Sequence, residues 1–185
     1  MTKKHVFLLG LLVLLIGQIL LAQGQDFVNA QQPIDFAHWC LFIGAVLLLP
    51  QSFEFPKSIA TYIGMPLTVI GIACILGMCV IDFIWWSYPN EEMRQQFTAH
   101  LVNVPSIWHP FMTTGSSSKV FNVGLTFLAF NYYKNNKIGF ALVVLGTLVL
   151  RHIIPLPYRL VSGYSLTLIG FALLFLQPKG KVLSA

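Results

Sequence analysis

Charge is scarce in this chain. Of its 185 residues 9% are charged, whereas an ordinary soluble domain carries roughly 25%. So few ionic groups cannot coat a water-facing surface. Cysteine is nearly as rare: Cys40, Cys74 and Cys79 all lie inside apolar runs. The Cys74 to Cys79 separation fits neither a CxxC redox pair nor a zinc ribbon, so a disulfide framework is excluded and the thiols read as small buried hydrophobes. The chain has no HExxH or paired-histidine motif. It lacks inverted halves with matching broken helices, and no ionisable group stands in the middle of an apolar run, which argues against an ion-coupled transporter. It also carries none of the motifs of rhodopsins, rhomboid-type proteases, phosphatidic-acid phosphatases or thiol oxidoreductases.

What remains is apolar. Hydrophobic residues make up 56% and the mean hydropathy is +0.75. Several uncharged runs approach the ~20 residues with which an α-helix crosses a ~30 Å bilayer core. The expected fold is an all-α, polytopic membrane helix bundle: one membrane-embedded domain over residues 1–185 with about six transmembrane helices and one short amphipathic outer helix.

The first run, Val6 to Ala22, is longer than a secretory signal core and ends on a poor cleavage site, Leu20-Leu21-Ala22, so it reads as a retained signal anchor. The second covers about Phe36 to Pro50. The third, Ile59 to Trp86, contains Pro66, which should bend it. Three more are expected at about Val120 to Tyr133, Ile138 to Ile154 and Tyr158 to Gln177, joined by short turns that make antiparallel neighbours. The long hydrophilic region is the outer loop, 88–119. Within it Asn90 followed by Glu91 and Glu92 predicts a capped helix start. Met93, Phe97, Leu101 and Val104 give that helix an apolar face to lay on the membrane surface. The remainder, from Val104-Pro105 through His109-Pro110 to Ser118, reads as an irregular connector. Glycines at intervals of six or seven (Gly64, Gly71, Gly77; Gly139, Gly146; Gly163, Gly170) read as close helix contacts.

Orientation follows from Lys and Arg. With both termini in the cytoplasm, Lys3, Lys4, Lys57, Lys134, Lys137, Lys179 and Lys181 fall inside. Arg94, Lys119, Arg151 and Arg159 fall outside, giving net charges of +6 and −1 once acids are included. All four tryptophans, Trp39, Trp85, Trp86 and Trp108, then lie at the outer boundary, as an interfacial belt would. The net charge of +5 thus reports membrane orientation. The bases form no patch for nucleic acid, and the expected partners are membrane lipids and a membrane-protein partner.

This topology gathers His38, His100, His109 and His152 on one side, with Asp35, Asp82, Arg151 and Arg159 at similar depth. In the blander reading, His38, Asp82 and Arg151 are helix-end groups that snorkel to water or pair, Asp82 with Arg151 for instance. In the sharper one, His38, Asp82, Arg151, His152, Arg159 and Trp86 line one outward pocket that binds a lipid or other hydrophobic ligand. Asp35, His38, Asp82 and His152 form a conceivable divalent-metal (zinc) ligand set. His38 and His152 could instead ligate haem b. Gly115 to Lys119 reads as a helix cap. Three functions are compatible with these residues: ligand binding by a small membrane protein, a metal-dependent hydrolase or oxidoreductase acting on lipid at the outer leaflet, and a structural accessory subunit.

Overall fold

A computed structural model of the chain describes residues 2–31, 34–153 and 158–176. The expected Pro155-Leu156-Pro157 turn, Lys179 and Lys181 lie outside the described residues. Those described are helical, with no strand among them: α1 (Lys3–Leu21), α2 (Gln25–Asn29), α3 (Phe36–Gln51), α4 (Ile59–Ser87), α5 (Glu91–Val102), α6 (Pro105–Ile107), a π-helical segment (Trp108–Gly115), α7 (Lys119–Phe130), α8 (Lys137–Leu150) and α9 (Arg159–Leu176). Among them α1 and α4 are long and apolar enough to cross a membrane, whereas α3, α7, α8 and α9 are shorter apolar helices.

Helix starts follow local chemistry. An N-cap side chain accepts a backbone N–H that the first turn would otherwise leave unpaired. Ser58 accepts from Thr61 N at 3.1 Å, Asn90 from Met93 N at 2.9 Å and Asn136 from Gly139 N at 2.9 Å. Asp35 does the same for α3, accepting from His38 N at 3.0 Å.

The helices run up and down in antiparallel pairs. Gly10 of α1 faces Gly44 of α3, Gly64 of α4 faces Gly124 of α7, and Gly139 and Gly146 of α8 face Gly170 and Gly163 of α9. The spacing is close: a Cβ added at Gly71 would lie 2.4 Å from the Phe121 Cα. Contacts of α3 with α4, α7 with α8 and α9 with α1 close the six long helices into a ring. The core includes Phe7, Leu11, Leu41, Ile72, Phe121, Leu125, Tyr164 and Phe171, none more than 2% exposed. Phe7 meets Phe171 at 4.8 Å between ring centroids, joining the first helix to the last. One end of the ring carries Lys3, Lys4, Glu54 and the α7–α8 turn; the other carries Asp35, Asp82, α5 and the end of α8.

Two local expectations change. The segment after Pro105 is helical and descends beside α4, where a Cβ on Gly115 would meet the Cys74 carbonyl at 2.4 Å. The non-packed part of the expected loop 88–119 is therefore shorter. Its polar run misled because the hydroxyls bond within the segment: Thr113 to the Trp108 carbonyl at 3.3 Å, Thr114 to that of His109 at 3.0 Å and Ser117 to that of Thr113 at 2.7 Å. Such back-bonding lets a Thr/Ser stretch pack without losing hydrogen bonds. Pro110 lacks an N–H, and the wider π turn accommodates it. Ser118 stands at the start of α7 with φ 51, but its hydroxyl donates back to the Gly115 carbonyl at 3.3 Å instead of capping.

Candidate functional site

The site begins with a helix start. Because Asp35 caps α3, its carboxylate lies over the first turn and reaches the ring of the residue three positions on. His38 Nδ1 is 2.5 Å from Asp35 Oδ2. The other ring nitrogen, Nε2, is 3.0 Å from Asp82 Oδ2 on α4. One imidazole therefore bridges two carboxylates from two helices. The Asp35 side chain is 2% exposed, that of His38 13% and that of Asp82 21%, so the row runs from a buried acid to one that meets solvent. Burial alone would raise the Asp35 carboxyl. The His38 hydrogen bonds and charge, with a smaller contribution from the Trp86 indole, outweigh it and hold the group below the usual carboxylate range.

His38 and Asp82 line a cavity of about 190 Å³. The end of α4 contributes Ile81, Trp85 and Trp86, and the π segment contributes Trp108 and Met112. Leu21 and Val28 close one side, while Phe97, Thr98 and Leu101 come from α5, which folds back over the opening. Arg94 holds α5 in place. Its guanidinium lies 5.0 Å and 5.3 Å from the Trp85 and Trp86 ring centroids, and its Nε donates to the Tyr88 carbonyl at 3.1 Å. Leu101 is 7% exposed and Met93 39%, so the apolar face of α5 is turned further toward its carboxyl-terminal half than its spacing predicts.

The remaining expected site residues stand elsewhere. Arg151 and His152 are exposed at the end of α8, His152 with φ 62. Arg159 donates from Nη1 to the Leu150 carbonyl at 2.6 Å and lines a different cavity with Gln18, Leu21 and Tyr158. Thus Asp35, His38, Asp82 and Trp86 come together, while Arg151, His152 and Arg159 do not join them. Asp82 pairs with His38 and not with Arg151. The expectation that His152 shares the pocket is corrected: the helix ends before it, and the left-handed residue carries its side chain to the surface.

This arrangement does not fit a zinc or haem ligand set. Both His38 nitrogens already face carboxylates, leaving no lone pair for a metal. Among the described residues no group of three or more His, Cys, Asp or Glu is disposed to hold an ion. Sequence reasoning missed Trp85, Arg94, Phe97, Thr98, Trp108 and Met112. The Trp85-Trp86 pair was the available signal, but an interfacial belt accounts for it equally well at sequence level. No family model, no curated protein and no solved structure matches the chain.

Proposed function

We propose that the protein crosses the bilayer six times and uses the cavity at the Asp82 end to bind a lipid or another hydrophobic ligand. Support for the membrane reading comes from what the ring turns outward. Leu12, Ile16, Ile43, Val46, Ile70, Val80, Phe127, Leu145, Ile169 and Leu173 are each more than a third exposed, and they are distributed over all six long helices. A water-soluble monomer rarely exposes so continuous an apolar surface. The short helices are compatible with spanning, because α6, the π segment and α7 together run antiparallel along most of α4. The lysines gathered at the opposite end favour a cytoplasmic location for that end and an external one for the cavity.

The observation that carries the binding reading is the pairing of an apolar, indole-walled cavity with a hydrogen-bonded acid–imidazole–acid floor. Small-molecule sites commonly combine an apolar lining with a few fixed polar groups. Hydrolysis has less support. Among the described lining residues Thr98 alone carries a hydroxyl, and both His38 nitrogens face carboxylates, which leaves neither to act as a base.

Two measurements test the proposal. Cysteine introduced at Gln95 should react with an impermeant reagent from outside, and cysteine at Asn135 from the cytoplasm. The reverse pattern would overturn the orientation. In dodecyl maltoside, 6-bromohexanol should quench tryptophan fluorescence saturably, and Leu101→Trp, which fills the cavity, should remove the saturable part. Quenching that rises without saturation and is equal in Leu101→Trp would overturn ligand binding and leave a structural accessory role.

A further inference from the structure

Asp82 has one carboxylate oxygen bound to His38 and lines the cavity, and no bond is made to its second oxygen among the described residues. Ionised carboxylates only accept hydrogen bonds. The two contacts on His38 therefore hold two protons shared among three groups, whichever atom carries each, and the trio keeps one net negative charge. Among the described residues no lysine or arginine lines the cavity. The arginine of the covering helix, Arg94, is not among the lining residues and has its own carboxylate neighbour in Glu91 at 4.0 Å. Three indoles and the Phe97 ring form the walls. Ring faces attract cations, and Arg94 already uses Trp85 and Trp86 in this way from outside the cavity.

From this juxtaposition, and resting on the ligand-binding reading above, we infer that the cavity is selective for an organic ammonium group: a protonated amine on an apolar body. Its N–H donates to the free oxygen of Asp82 and its charge lies among Trp85, Trp86, Trp108 and Phe97. A neutral alcohol satisfies the oxygen but gains nothing from the net charge or the ring faces. A carboxylate meets an acceptor facing an acceptor. The same chemistry is offered by a free amine and by the ethanolamine headgroup of a phospholipid.

The test compares three quenchers of one chain length, 6-bromohexylammonium, 6-bromohexanol and 6-bromohexanoate, with the full chain in uncharged dodecyl maltoside micelles. The ammonium should bind at least about tenfold more tightly than the alcohol, which is what one charge-assisted hydrogen bond supplies, and the carboxylate should bind most weakly. Asp82→Asn should collapse the ammonium-to-alcohol ratio to below about threefold, while Asp82→Glu keeps it. Because the readout is a ratio within one protein, a modest loss of stability in either variant does not imitate the result. Dihexanoyl-phosphatidylethanolamine displacing the ammonium probe, with dihexanoyl-phosphatidylglycerol failing to, would identify the source as a lipid headgroup. Displacement by hexylammonium alone would identify a free amine. Equal affinity for ammonium and alcohol would overturn this inference while leaving hydrophobic binding in place. Absence of saturable quenching by all three would overturn both.

Discussion

Removing a carboxylate from His38 should destabilise the protein, and Asp35 should matter more than Asp82. Each acid makes one contact to the ring, at 2.5 and 3.0 Å, and a hydrogen bond involving a charged group contributes ~1.5–3 kcal/mol. Asp82, being partly solvated, belongs at the low end, so Asp82→Ala should cost ~1.5–2 kcal/mol. Asp35 also accepts the His38 backbone N–H at 3.0 Å, and losing an N-cap costs ~1 kcal/mol. Its total is then ~3 kcal/mol. For a chain of this size 1 kcal/mol moves Tm by ~2–4 °C. Melting in dodecyl maltoside, followed by tryptophan fluorescence, should show Tm lowered by roughly 3–8 °C for Asp82→Ala and roughly 6–12 °C for Asp35→Ala. His38→Ala combined with Asp82→Ala should be less damaging than the sum of the two, by at least ~0.5 kcal/mol, because both remove the same bond. Equal losses for the two acids, or strict additivity of the pair, would refute the bridging-imidazole description.

Acid should erase the Asp35 contribution. Its folded carboxyl lies below the usual range, so the stability it provides is complete above the unfolded value of ~3.9 and is lost as pH falls through the folded value. Asp35→Asn should therefore be less stable than the parent at neutral pH and converge with it in acid. A constant gap down the acid limb would count against the carboxylate. Packing is testable at two glycines. A Cβ at Gly71 meets the Phe121 backbone at 2.4 and 2.5 Å, whereas at Gly77 it meets the Phe111 ring edge at 2.3 Å. A ring can turn but a helix backbone must move away, so Gly71→Ala should cost ~1–3 kcal/mol and Gly77→Ala less. The opposite order in thermal melting would count against the α4–α7 contact.

Much of the helical skeleton is legible in the sequence because apolar runs and caps are local. Phe36, Ile59 and the Asn90 cap are found at or within one residue of their expected positions. The π segment was not legible: Pro110, Gly115 and the Thr/Ser run are loop signals by composition. Only contact with α4 shows that their hydrogen bonds close internally. The candidate site divides along the same line. Asp35 and His38 are three residues apart, so their meeting can be read from a helix start. Asp82 joining them depends on the α3–α4 contact, which spacing does not encode, and the same missing information made His152 an equal candidate at sequence level. The place of Arg94 is likewise not legible, because nothing local reveals that two indoles from α4 lie beneath it.

The position of the cavity follows from where small residues stop. Along the antiparallel contact of α4 with its partner, Gly64, Gly71, Gly115 and Gly77 let backbone or ring approach closely. Past Gly77, α4 presents Ile81, Asp82, Trp85 and Trp86, and the partner presents Met112 and Trp108. Side chains of that size fill space by contact with one another but do not close it as a glycine crossing does, and the cavity lies among them. A gap there would expose His38 and Asp82 to whatever solvent lies beyond. The α5 helix limits this: capped by Asn90 and held over the indoles by Arg94, it turns Phe97 and Leu101 down onto the opening. The cover and the charged floor thus depend on each other. Without α5 the outer side of Asp82 would be more fully hydrated, and without Asp82 the space beneath α5 would hold no acid.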